Sequence, residues 1–122
     1  AFFTGLFETA LEDGEIVVAI TFDAPVKAAY SKFPNPASRY AMAGVFVAKA
    51  SGGGVRVAVT GAGSNGVFRH TGLEAAFSAN WSADAAAGIT VDASDLLSDI
   101  HGSAEYRANL VKVMAKRAVA AA

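Results

Sequence analysis

Alternating apolar residues run through the first half of the chain, and helical spacing takes over after residue 70. "EIVVAITF" (15–22) reads as a strand: Ile16, Val18, Ile20 and Phe22 share one face, and Asp23 and Pro25 stop it. "KAAYSKF" (27–33) reads as a second extended piece, and the prolines of "PNP" (34–36) force a loop after it. "GVFVAKA" (44–50) and "VRVAVTG" (55–61), joined by "SGGG" (51–54), read as a β-hairpin. A four-residue loop pairs Ala50 with Val55, Lys49 with Arg56, Ala48 with Val57 and Phe46 with Val59. The expected core face is then Phe46, Ala48, Ala50, Val55, Val57 and Val59. The opposite face would hold Val45, Val47, Lys49, Arg56, Ala58 and Thr60, joined by Val17 and Ala19 of the first strand. That is too apolar for a face that meets only water. Two readings stay open: an alanine-rich protein with scattered exposed apolar side chains, or a sheet partly covered by a neighbour.

Beyond residue 70 the spacing changes. "TGLEAAFSAN" (71–80) has Thr71 as expected N-cap and Glu74 three residues on, a capping-box spacing. "SADAAAG" (82–88) reads as a second helix, and "ITVDASDLLSDIHG" (89–102) as loop. "SAEYRANLVKVMAKRAVAAA" (103–122) is the clearest helix: Ser103 caps it, and Tyr106, Leu110, Val113, Met114 and Ala118 make its apolar stripe. Strands first and helices afterwards predict one α+β domain over 1–122. Its antiparallel sheet of three to four strands would pack against about three helices.

The hairpin's second strand runs into Gly61-Ala62-Gly63-Ser64-Asn65-Gly66, a G-x-G-x-x-G. A dinucleotide-binding turn needs a helix opening within the glycines, so that its N–H groups meet the pyrophosphate. Here "VFRH" follows, and the first capping signal is Thr71. Asp92, 26 residues past Gly66, imitates the ribose-binding acid, but no βαβ unit surrounds it. The glycines read instead as a strand exit, with Asn65-Gly66 supplying positive φ.

Composition narrows the chemistry. With 10 basic against 11 acidic residues, nothing calls for nucleic acid or anionic lipid. The absence of cysteine excludes disulfides and thiolate chemistry and suits a reducing cytoplasm. No apolar run approaches a membrane span. The start "AFFTGLFETALEDGE" carries acids and no basic region, unlike a signal peptide, and its abruptness suggests a chain cut from something longer. His70 and His101 lie 31 residues apart with no metal-ligand spacing, and no G-x-S-x-G elbow occurs. Asp92, Asp95 and Asp99 read as loop and cap formers, and Lys32, Arg39, Arg69 and Arg107 as ordinary cations able to meet an anion.

"SDIHGSAEYRANLVKVMAKRAV" (98–119) resembles the close of the flavoprotein (medium) subunit of the carbon monoxide dehydrogenase and xanthine dehydrogenase family. The family pattern is roughly D-x-x-G/A-S-A-x-Y-R-x-x-L-x-x-V-x-x-R/K-R/K-A. Asp99, Gly102, Ser103, Ala104, Tyr106, Arg107, Leu110, Val113, Lys116, Arg117 and Ala118 stand on it. "FFTGLFETALEDGEIVVAITF" (2–22) is similar to the family's F-F-x-G…T-x-L-x-x-x-E-I segment, and "AYSKFPNPASRYAMAGVFVA" (29–48) to its A-Y-x-K stretch.

The resemblance implies a non-catalytic C-terminal domain of an FAD-containing electron-transfer subunit. FAD would be held mainly by upstream domains of the same subunit, with molybdenum and iron–sulfur subunits as further partners. It implies that Val17, just after the E-I pair, and Lys32 approach the flavin. The family's R-x-x-D-x-A arrangement is only half present: "PASRYAMA" has Arg39 and no Asp. The alternative reading is a freestanding α+β protein-interaction or small-ligand-binding module.

Overall fold

The computed structural model describes residues 2–122. Strands β1 (Phe3–Gly5) and β2 (Glu8–Thr9) form a small hairpin. Strands β3 (Lys27–Pro34), β4 (Ala41–Lys49), β5 (Val55–Thr60) and β6 (Phe68–Arg69) form one antiparallel sheet in that order. Helix α1 (Thr71–Ala79), a 3-10 turn (Ala83–Ala86) and helix α2 (Ala104–Ala121) complete the chain. The architecture is α+β, with strands in the first half and helices in the second. The turn at 83–86 stands where the second helix was expected.

Both helices cover one face of the sheet. Val45, Val47, Val55, Val57 and Val59 are buried there under Leu73 and Phe77 of α1 and Val111, Met114 and Ala118 of α2. This is not the expected register. Lys49 pairs with Val55, Val47 with Val57 and Val45 with Val59. The loop closes by mutual backbone bonding of Ala50 with Gly53 and Gly54, so it is one residue longer than expected. A one-residue slip turns a whole strand over. Phe46 and Ala48, expected inside, therefore face outward, and the β-branched Val45 and Val47 fill the core.

The largest correction is at 15–22. Ile16 to Phe22 forms no strand and pairs with none, and its apolar side chains lie bare. The strand at 27–33 and the loop at "PNP" stand as expected. The short strand β6 and the β1–β2 hairpin carried too little pattern to be read.

Two details of the helices also differ. His70, not Thr71, caps α1: its Nδ1 accepts the Leu73 N–H at 3.2 Å. Glu74 is thereby freed from the capping box for another task. Ser103 does cap α2, its Oγ accepting the Tyr106 N–H at 3.2 Å. The buried stripe of α2 is Arg107, Leu110, Val111, Met114, Ala115, Ala118 and Val119, rotated from the expected one, and Tyr106 is partly exposed.

Candidate functional site

The outer sheet face has no helix over it, and its residues are set by the register. Lys32, Gly44 and Thr60 lie side by side on β3, β4 and β5, with Tyr30 and Phe46 one step along. Gly44 makes a notch in the middle strand. Tyr30 lays its hydroxyl across that notch to Thr60 Oγ1 at 2.9 Å. A Cβ at Gly44 would overlap both hydroxyl groups, so only glycine permits the pair.

Lys32 is held from below. Its Nζ donates to the Arg39 carbonyl at 3.0 Å. That carbonyl is placed by the tight loop 35–40, where the buried Asn35 accepts the N–H groups of Ala37 and Ser38 through Oδ1. Asn35 N–H donates to the Tyr40 carbonyl, and Arg39 sits at φ 65°, the left-handed region that a non-glycine residue enters at a cost of about 1 kcal/mol. Arg39 thus contributes to the site through its backbone carbonyl.

The β1–β2 hairpin supplies a second wall. Between it and the sheet lies an open cleft of about 1060 Å³, lined by Phe3, Leu6, Phe7, Tyr30, Lys32, Tyr40, Thr60 and Gly61 among others. The walls are mostly aromatic and aliphatic, with the Lys32 cation, the Glu8 carboxylate and the hydroxyl groups of Thr9, Tyr30, Tyr40 and Thr60. Such a cleft suits a flat, largely apolar group with a polar edge.

Gly61 and its neighbours close the cleft's end. Gly61 has φ 74°, and a side chain there would run into the Ala41 carbonyl. The rest of the glycine run is already engaged. Ser64 donates to the Asp95 carbonyl through both N–H and Oγ, at 2.9 Å each, and Leu97 N–H donates to the Ala62 carbonyl. Strand β6 follows the glycines and α1 opens only at Thr71, so no helix terminus faces a phosphate here.

The most specific piece of the C-terminal pattern turns out to be structural. Arg107 is only 3% exposed. Its guanidinium donates to the Met42 carbonyl at 2.6 Å, to the Gly61 carbonyl at 3.4 Å and to Asp99 at 2.8 Å. It therefore ties α2 to the start of β4 and to the glycine turn, and so fixes the cleft's end from the opposite face. Asp99 is held below the usual carboxylate range, first by the His101 N–H and then by Arg107.

Glu74 forms a comparable tie on the other flank. Arg69 donates to it through Nε at 2.8 Å and Nη2 at 2.6 Å, and the Val57 N–H donates to it at 3.0 Å. The Arg69 bonds chiefly hold its pKa down, against a smaller opposing effect of burial.

Lys32 therefore lines the cleft, while Val17 sits on the bare segment 15–22 and is not among the cleft's lining residues. The structure does not bring the two expected flavin neighbours into one pocket. Arg69 and Arg107 are consumed by Glu74 and Asp99. Tyr30, Gly44, Thr60 and Asn35 carry the site's geometry and went unremarked in sequence. A glycine inside an otherwise largely apolar strand was the available signal. Among the described residues, no group of three His, Cys, Asp or Glu side chains is placed to hold a metal ion. No helix among them is long and apolar enough to cross a membrane.

No protein-family model matches the chain. No curated protein matches it either. Among solved structures, it is similar to quinoline 2-oxidoreductase from Pseudomonas putida 86, with 23% sequence identity and a TM-score of 0.69. The similarity covers 99% of this chain and 45% of that one, so this chain spans less than half the length of the protein whose fold it shares.

Proposed function

We propose that this chain is the C-terminal domain of an FAD-containing electron-transfer subunit of a molybdenum-hydroxylase-type oxidoreductase. In this reading it docks on upstream FAD-binding domains of the same subunit, works in the cytoplasm, and lines one side of the flavin site. The observation that carries it is the shared fold over 99% of the chain. The placement of the "SAEYR" segment adds to it, because Arg107 braces the end of the cleft.

The residues present fit the ring of a flavin better than its phosphates. The Gly44 notch, which any Cβ would fill, is taken by the Tyr30 and Thr60 hydroxyl groups, and these put a polar spot on the otherwise apolar outer face. Lys32 stands beside them as a cation. The walls of Phe3, Leu6 and Phe7 would exclude water from one side of a planar group. A pyrophosphate, by contrast, finds no free helix terminus at the glycine run, in keeping with phosphates held outside this domain. When bound, FAD would supply the electron-transfer chemistry; this chain's own residues orient and shield. Lys32 would hold positive charge near the flavin's polar edge, and Val17 would approach the ring from the 15–22 segment.

Titration with FAD tests this reading, using this chain alone and the longer polypeptide that the reading requires. Binding is expected only in the longer polypeptide, and Lys32→Met there should shift the flavin's reduction potential with little change in fold. A longer polypeptide that takes up no FAD would overturn the reading. Tight binding by the 122-residue chain would overturn the claim that the main site lies elsewhere.

A further inference from the structure

We infer that residues 15–22 are a strand of another sheet, completed only against the open sheet edge of the flavin-binding part of the same subunit. This rests on the reading of the chain as one domain of that subunit.

The segment has everything a strand needs except a neighbour. Ile16, Val17, Val18, Ile20 and Thr21 are β-branched, and no proline or charge occurs between 16 and 22. In this structure it belongs to no helix, strand or turn. Both faces are bare: Val17 is 51% exposed, Val18 88% and Ile20 80%. Backbone hydrogen bonding among the described residues marks only its borders, from Glu15 N–H to the Glu12 carbonyl and from Val26 N–H to the Lys49 carbonyl.

The domain's own sheet does not take it in. Strand β3 ends that sheet and leaves an open edge, only four residues beyond Phe22. Four residues suffice for a hairpin loop. Asp23-Ala24-Pro25-Val26 makes no such hairpin: Phe22, Asp23 and Pro25 share a pocket with Phe46, Ala48 and Arg56 on the outer face of β4 and β5. An apolar, uncharged strand left bare is an aggregation hazard that folded proteins avoid. Its retention points to a permanent partner edge.

The composition describes that partner. Ile16, Val18, Ile20 and Phe22 form the larger face and call for an apolar layer beneath them. Val17, Ala19 and Thr21 form a smaller face on the other side. Glu12, Asp13, Glu15 and Asp23 bracket the segment, so the receiving edge has neutral or basic flanks. The protein of shared fold extends over more than twice the matched region, which is room for such a sheet in a subunit of that size.

Amide hydrogen exchange read by mass spectrometry tests this on the 122-residue chain and on the longer polypeptide. Amides of 16–22 should exchange freely in the former and be slowed about 100-fold or more in the latter. Val18→Asp should leave the melting temperature of the 122-residue chain unchanged while abolishing the protection in the longer one. If the longer polypeptide binds FAD and 16–22 still exchange freely, the strand assignment is wrong and the functional reading stands. If it binds no FAD, the functional reading falls whatever the exchange shows. Protection in the 122-residue chain that grows with its concentration would assign the edge to a second copy and overturn the proposal.

Discussion

"EIVVAITF" at 15–22 and "VRVAVT" at 55–60 obey the same alternation, and they end in opposite places. Strand β5 lies between β4 and β6, and Val57 is wholly buried under the helices. The earlier segment pairs with nothing, and Val18 is almost fully exposed. Local propensity is the same in both. The difference lies in what the rest of the chain offers: β5 meets β4 through a short loop, and α1 packs on it after the glycine run and the short strand β6. Alternation therefore shows that a stretch can be a strand, whereas pairing depends on a partner that must be found elsewhere.

The sharpest way to break this comparison is to place one charge in each stretch. Val57→Asp buries an unpaired carboxylate beneath α1 and is expected to unfold the domain outright, with loss of its near-ultraviolet circular dichroism. If it folded normally, the assignment of β5 as the core strand would be wrong.

Next in size is Arg107→Met. The side chain's apolar length fits the site, but the Met42 carbonyl and Asp99 lose their donor. A loss of about 3 kcal/mol is expected in urea unfolding, as for removal of one partner from a buried charge pair. A loss below about 0.5 kcal/mol would mean that α2 is held to β4 by apolar packing alone.

How far these outcomes were legible beforehand differs between fold and site. The fold class follows from patterns within single stretches: β-branched runs, then the Ser103 cap and a helix of alanines and long side chains. Register does not. It hung on whether the loop was the four residues 51–54 or the five residues 50–54, and that was settled by Gly53 at φ 83° and a backbone bond between Ala50 and Gly54. The cap of α1 was misplaced by one residue because histidine seldom caps, and Glu74 looked like a capping-box acid while its real partners were Arg69 and Val57. Lys32 was found through a resemblance. Tyr30, Gly44 and Thr60 meet across three strands, and no spacing along the chain announces such a triple.

A smaller effect is expected at Glu74, which binds the backbone of β5 from α1. Glu74→Gln weakens the Arg69 bonds and should cost about 1 kcal/mol, since Arg69 is more than half exposed to solvent. The same carboxylate gives stability a pH dependence. Its folded pKa lies below the unfolded value, so its contribution is complete above the ordinary carboxylate range and disappears as pH falls through the lowered value. Unfolding followed through the acid range should show wild-type stability dropping faster than that of Glu74→Gln. A residual slope is expected from Asp99, which is lowered in the same direction. Identical slopes in the two proteins would mean that the Arg69 pair is not formed in solution.

The smallest effect belongs to the bare segment, and there the comparison is most exposed to refutation. Ile20→Ser removes a β-branched apolar side chain from an alternating run, the same kind of change that is expensive in β5. In the 122-residue chain Ile20 touches little, so urea unfolding should move by less than about 0.5 kcal/mol with the slope unchanged. The substitution also breaks an uncharged β-prone window, so any self-association of the isolated chain at high concentration should fall. A loss of 2 kcal/mol or more, on the order of a buried core truncation, would show that the segment packs on this domain after all. In that event the contrast with β5 would dissolve, and Val17 would belong to this domain's own core instead of a surface kept for a neighbour.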